Sequence, residues 1–254
     1  MRHIIIHYHI FKNAGSSIDK ALKNSFREKW SNWDSEAKSG KITPNELRDY
    51  IIDNPQLLAI SSHSAIPPLP KLDGLTCHPI VFIRNPILRA YSAYQFEWGK
   101  QERRTTPRND FSTYVIDKLK HPRRNAIEDF QVIHLANRGP DGRRPSQSLS
   151  DDQLFENAKI FLDNCPFYGL VERFNESMVR AHMYFKARFP EFIGSIHKEN
   201  VTSKKSWSNI QDETESILEK LPKDIRSSLV ERNQLDLKLY NYATERFNTM
   251  GLEK

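Results

Sequence analysis

The sequence predicts an α/β domain built on a central, mainly parallel sheet of about four or five strands flanked by helices. Three observations carry this. Apolar runs at residues 2–11, 57–61, 77–83 and 166–171 are separated by segments whose apolar residues recur at helical spacing. The first run, RHIIIHYHIF, is near-continuous in β-branched and aromatic residues, the pattern of a strand covered on both faces. Of 254 residues, 38% are hydrophobic and 11% aromatic, enough to build a core and to exclude global disorder.

The elements follow in order. After the first strand comes the small-residue loop KNAGSS at 12–17. A helix follows, with Ile18, Ala21, Leu22, Phe26 and Trp30 near helical spacing. Residues 31–56 are polar and mixed, with the capping pattern Thr43–Glu46 ahead of Leu47. LLAIS at 57–61 is a second strand, running into a Pro-rich loop. CHPIVFI at 77–83 is a third, broken by Arg84-Asn85-Pro86; Pro86 suits the first position of a helix. Short helices are expected at 111–119 and 127–136, and an amphipathic one at 151–162. PFYGLV at 166–171 is a fourth strand, 175–189 a helix, and 192–196 a short strand. The rest, 210–248, reads as two or three helices. The chain is expected to be a single domain over 1–254, with a basic, helical insertion at about 100–150 and a helical part at about 210–254.

Composition narrows the function. Lys plus Arg is 38 against 32 Asp plus Glu, so the formal net charge is +6 and anionic partners are favoured. Residues 100–144 hold eleven Lys or Arg against six Asp or Glu. No run of about 18 apolar residues predicts a membrane span, and no signal-peptide pattern precedes the first strand. Cys77 and Cys165 suit neither a disulfide framework nor a metal site, and read as small core residues in a reducing compartment.

Ligands of open α/β sheets bind at the carboxyl ends of strands, and three such ends carry chemistry here. Lys12-Asn13-Ala14-Gly15-Ser16-Ser17 lies between a strand and a helix N-terminus, where small residues let backbone N–H groups approach a phosphate. The same pattern also serves a plain strand-to-helix turn. It is no Walker A loop, because the lysine precedes the small residues. Arg84 ends a strand and Ser92 lies about two helical turns beyond, so one anion is within reach of both. The alternative is an exposed Arg84 paired with a nearby acid, with Ser92 on the helix surface. His63 follows LAISS, placed for a general base or for a structural role. His3, His7 and His9 share one strand face and read as core residues rather than metal ligands, with no carboxylate near them in sequence.

HIFKNAGSSI and FIRNPILRAYSAY, in this order, resemble the two cofactor segments of the sulfotransferases that use 3′-phosphoadenosine 5′-phosphosulfate (PAPS). Those enzymes share a P-loop-like, three-layer α/β domain. The similarity is greatest to the carbohydrate branch that includes heparan sulfate 2-O-sulfotransferase and related bacterial proteins. YGLVERFNESM at 168–178, ENVTSKKSW at 199–207 and LYNYATERF at 239–247 resemble later segments of that branch. The resemblance implies that Lys12, Asn13, Ala14, Gly15, Ser16 and Ser17 hold the 5′-phosphosulfate. Arg84 and Ser92 hold the 3′-phosphate, and Thr202, Lys204 and Lys205 close over the nucleotide. His63 is implied as the general base, and Lys12 as the group stabilising the departing phosphate. Glu172 and Arg173 read as structural. PAPS is the expected donor, 3′-phosphoadenosine 5′-phosphate (PAP) the product, and no metal is expected.

The acceptor is expected to be a carbohydrate, and the basic stretch suits an acidic glycan. Tyr94, Trp98, Arg103, Arg104, Arg108, Arg123 and Arg124 are its candidate contacts, although Tyr94 and Trp98 also suit packing. Neither nucleic acid nor a membrane span is expected, and a cytoplasmic, bacterial setting is favoured over a trimmed Golgi domain. Two other functions stay open: a P-loop-type small-molecule or nucleotide kinase, and a non-catalytic polyanion binder. Against the kinase stand the missing Gly-Lys-Ser/Thr order and the missing Walker B aspartate.

Overall fold

The structure is a computed structural model that describes residues 1–37, 40–99, 110–120, 125–137, 149–194 and 207–250, without the side chains of residues 98, 99, 207 and 208. Its centre is strand β1 (Arg2–Tyr8). β1 lies between β3 (Ala59–Ser62) and β4 (Leu75–Ile80), with β2 (Trp30–Asn32) outside β3, in the order β2-β3-β1-β4. Every pairing is parallel; Ile6 of β1 faces Ile60 on one side and Pro79 on the other. At Val81 the third predicted run changes partner. Its carbonyl accepts from the Gly169 amide at 2.9 Å, and β5 (Phe82–Ile83) pairs in parallel with β6 (Gly169–Leu170). This is the predicted α/β architecture.

Alternation along β1 builds two cores. Ile4, Ile6 and Tyr8 face one side, against α2 (Pro44–Asp53), α5 (Phe130–Leu135), α6 (Asp151–Asp163) and α10 (Gln234–Thr249). Ile5 faces the other, against α1 (Gly15–Phe26) and α7 (Phe174–Phe185). A third cluster packs α3 (Pro86–Gly99) on α4 (Phe111–Leu119), α8 (Trp207–Leu218) and α9 (Lys223–Glu231). No helix among the described residues is long and apolar enough to cross a membrane.

Local signals explain the helix starts. Thr43 and Glu46 close the expected capping box on α2. Asn85 caps α3: its Oδ1 accepts from the amides of Ile87 (2.9 Å) and Leu88 (3.2 Å), with Pro86 at the first position.

Three expectations are corrected. The first strand stops at Tyr8, because the Ile10 amide turns back to the Tyr8 carbonyl at 3.0 Å. Trp30 does not end the first helix but opens β2, pairing with Ala59. Residues 192–194 are irregular rather than a strand; 195 and 196 lie outside the described residues.

Candidate active site

The strands among the described residues pair in parallel, so their carboxyl ends share one edge, and the three predicted features meet there. The first loop leaves β1 through Lys12 (φ 67°) and enters α1 through Ala14 (φ 61°), two non-glycine residues in the left-handed region. Such strain persists where the surroundings enforce it, often at ligand sites. Ala14 gives α1 no side-chain cap and the first turn holds no acidic residue. The positive end of the helix dipole therefore faces the loop uncompensated by a local carboxylate, an arrangement suited to an anion. Ser16 is exposed and Ser17 half-buried there. The Lys12 ammonium lies 4.4 Å from the centre of the Phe96 ring. Asn13 turns inward: its Nδ2 donates to the Phe82 carbonyl (2.6 Å) and to Gln131 Oε1 (2.7 Å). Gly15 is required by a close approach, since a Cβ there would lie 1.9 Å from the His9 ring.

Arg84 follows β5 beside that loop. Its Nη1 donates to the Lys12 carbonyl at 2.9 Å, and its Nε is 3.8 Å from Glu172 Oε1. Burial lowers the Arg84 pKa, opposed by Glu172, and raises that of Glu172, opposed by Arg84. Glu172 Oε1 also accepts from the Asn85 amide at 3.1 Å. Glu172 therefore sets a buried carboxylate beside the guanidinium, held in place by the Asn85 amide. Ser92 is half-buried on α3, one turn before Phe96.

His63 follows β3. Its Nδ1 lies 3.0 Å from the His9 carbonyl. A carbonyl only accepts, so Nδ1 carries the proton and Nε2 keeps its lone pair in the neutral ring. Asp34 Oδ1, just past β2, accepts from Ser62 Oγ (3.1 Å) and from the amides of His63 (2.6 Å) and Ser64 (3.1 Å), which fixes the turn. The His63 and His9 rings have centroids 3.6 Å apart. Burial of the ring, then the His9 charge, lowers the His63 pKa below 6.5, while Asp34 opposes.

Beneath this stack, Asp19 of α1 lies 2.8 Å from His7 Nδ1 and 2.9 Å from His9 Nδ1. Burial alone would raise the Asp19 pKa; the hydrogen bonds from His7 and His9 hold it well below the usual carboxylate range. The carboxylate missing near these histidines in sequence is thus brought by the first helix. The donor atoms of His7, His9 and Asp19 lie within 4.8 Å of one another, close enough to share a cation. Their contacts with each other account for the cluster. His3 instead meets His78, at 3.0 Å.

Tyr94 is turned into the packing of Tyr91, Phe111 and Tyr114. Trp98 lies on α3 with its side chain outside the described residues, as do Thr202, Lys204, Lys205, Arg103, Arg104, Arg108, Arg123 and Arg124 entirely. Sequence reasoning missed Asp34, Asp19 and Gln131, whose partners are distant in the chain.

Two comparisons bear on this arrangement. An uncharacterized protein of Archaeoglobus fulgidus is 31% identical over 263 residues, covering 97% of this chain and 98% of its own. The profile of the sulfotransferase family matches residues 1–243. By this match over nearly its whole length, the chain belongs to the sulfotransferase family.

Proposed function

We propose that this chain transfers a sulfuryl group from PAPS to a hydroxyl of a carbohydrate acceptor, with His63 as general base. The observation that carries the reading is the hydrogen bond from His63 Nδ1 to the His9 carbonyl, which leaves Nε2 as acceptor at the edge that also holds Lys12 and Arg84.

The residues present suit a doubly anionic nucleotide. The open N-terminus of α1, with Gly15, Ser16 and Ser17, receives the 5′-phosphosulfate. Arg84 and Ser92 receive the 3′-phosphate, and Thr202, Lys204 and Lys205 close over the nucleotide. Asn13 and Ala14 shape the loop. PAPS supplies the sulfuryl group. His63 Nε2 takes the proton as the acceptor oxygen forms its bond to sulfur. Lys12 and the α1 amides stabilise the negative charge that gathers on the departing phosphate oxygen. The products are the sulfate ester, PAP and the proton held by His63; no metal enters. Trp98, Arg103 and Arg104, and Tyr94 through packing, are proposed to shape the acceptor side. The basic stretch favours an acidic glycan, and we propose one domain in a cytoplasmic setting.

The test is PAP release from PAPS across a panel of neutral and acidic oligosaccharides. His63→Ala is expected to lose turnover while keeping PAP affinity. Near-normal turnover in His63→Ala would remove the base assignment; Glu97 is a poor replacement, being 2.9 Å from Lys118 in an ion pair.

A further inference from the structure

Gln131 belongs to neither cofactor segment. It sits in the first turn of α5 and is wholly buried. Its Oε1 accepts from the Arg84 amide (2.9 Å) and from Asn13 Nδ2 (2.7 Å). Its Nε2 donates to the Arg84 carbonyl (2.9 Å) and to Asp236 Oδ2 (3.3 Å). Two acceptor and two donor bonds use the full capacity of a side-chain amide. Gln131 therefore grips both backbone groups of Arg84 just where β5 ends, and holds the first loop through Asn13 with the same oxygen.

The grip is anchored from behind. Asp236 of α10 is wholly buried and accepts from the amides of Gln131 (3.1 Å) and Val132 (2.8 Å). Asp129 Oδ1 accepts from the Asp236 amide at 3.0 Å, and Arg89 Nη2, also buried, lies 3.9 Å from the Asp236 carboxylate. Across the top, Arg84 Nη1 reaches the Lys12 carbonyl and Asn13 reaches the Phe82 carbonyl. The two anion loops are thus cross-linked before any ligand arrives.

We propose that Gln131 is a positioning residue that fixes the separation of the two loops, so that one nucleotide with phosphates at both ends is held at both ends at once. This rests on the PAPS reading above. A ligand charged at one end needs only one loop in place; a bisphosphate gains from both only if their spacing is set beforehand. The selectivity for a two-ended donor is then a property of Gln131 as well as of the cations.

The experiment is calorimetric binding of PAP, 3′-AMP and 5′-AMP to the wild type, Gln131→Met and Asn13→Ala. Circular dichroism and melting check the fold. Gln131→Met keeps the volume and removes all four hydrogen bonds; Asn13→Ala leaves the Gln131 grip on Arg84 and removes the first loop's bonds to Gln131 and to the Phe82 carbonyl. Each variant is expected to lose about tenfold or more in PAP affinity, since buried amides lose their partners. Each monophosphate is expected to change by less than about threefold, a difference that a general loosening of the fold does not produce. Equal losses for all three ligands, or unchanged PAP affinity in a folded variant, overturn the proposal. If Gln131→Met does not fold, Asn13→Ala decides by the same comparison. Wild type that binds no PAP defeats the PAPS reading and this inference together. Wild type that binds PAP while folded variants bind it equally defeats this inference alone.

Discussion

Gly15→Ala tests whether the first loop and the proposed base, His63, are one packed unit. A Cβ on Gly15 would lie 1.9 Å from His9 Cδ2 and Nε2, whereas ordinary contact begins at 3.4 Å, so the ring must move by the difference of about 1.5 Å. It has little room. His9 Nδ1 lies 2.9 Å from Asp19, and the His63 and His7 rings stand 3.6 and 5.2 Å away between centroids. Overpacking of this kind costs about 1–3 kcal/mol. At about 2–4 °C per kcal/mol for chains of this size, the melting temperature should fall by roughly 2–12 °C. Turnover should fall further, because a catalytic group misplaced by about 1 Å loses on the order of a hundredfold. Thermal melting and PAPS turnover read the two effects. Ser16→Ala, at an exposed neighbouring position, is the control and should melt like the wild type. A Gly15→Ala protein melting within about 1 °C of the wild type, with unchanged turnover, would refute the packing argument.

Two pH effects follow. With His63 as the proposed base, active in its neutral form, the acid limb of kcat/KM should lie below pH 6.5, because burial and His9 hold the His63 pKa below that value. Asp34→Asn keeps an acceptor for the turn but removes a charge that favours the imidazolium, so the limb should move to still lower pH; a pH–rate series checks it, and an upward move contradicts it. Stability should also decline in acid. Burial lowers the pKa of His134 to about 3 and, aided by His3, that of His78 to about 4, against 6.5 when unfolded. Below pH 6.5 the unfolded chain takes up protons that the folded one refuses, so stability is full above 6.5 and lost towards 3–4. Melting from pH 7 to 4 should show the decline, and His78→Phe, set among Phe185 and Phe189, should flatten it.

Local chemistry made much of the site legible. Lys12 to Ser17, His63 and Arg84 each follow an apolar strand run directly, and the rule that ligands bind at strand ends needs no distant contact. The capping box of α2 and the Pro86 start of α3 are likewise written in four or five consecutive residues. β2 was hidden because Trp30–Asn32 is three residues long and mostly polar; it is a strand only through its pairing with Ala59–Ser61. Asp34, Asp19 and Gln131 were hidden, and the Arg84 contact of Glu172 with them, for a related reason. Asp34 meets His63 across 29 positions, Gln131 meets Arg84 across 47 and Glu172 meets Asn85 across 87. Nothing near them in sequence announces a partner that only the sheet order brings close. Asp19 is nearer, 12 positions from His7, yet it reads as a polar residue on an amphipathic helix. Burial sets these contacts, and burial is a property of the assembled layers.

The most direct test of the account is the binding of PAP in buffer containing EDTA, read by calorimetry and by melting. One PAP per chain is predicted, with a stabilisation of about 2.7 kcal/mol at a hundred times Kd. Lys12→Ala and Arg84→Ala should abolish the signal while the folded wild type retains it. Absence of PAP binding, with stabilisation by Mg·ATP instead, would contradict the account.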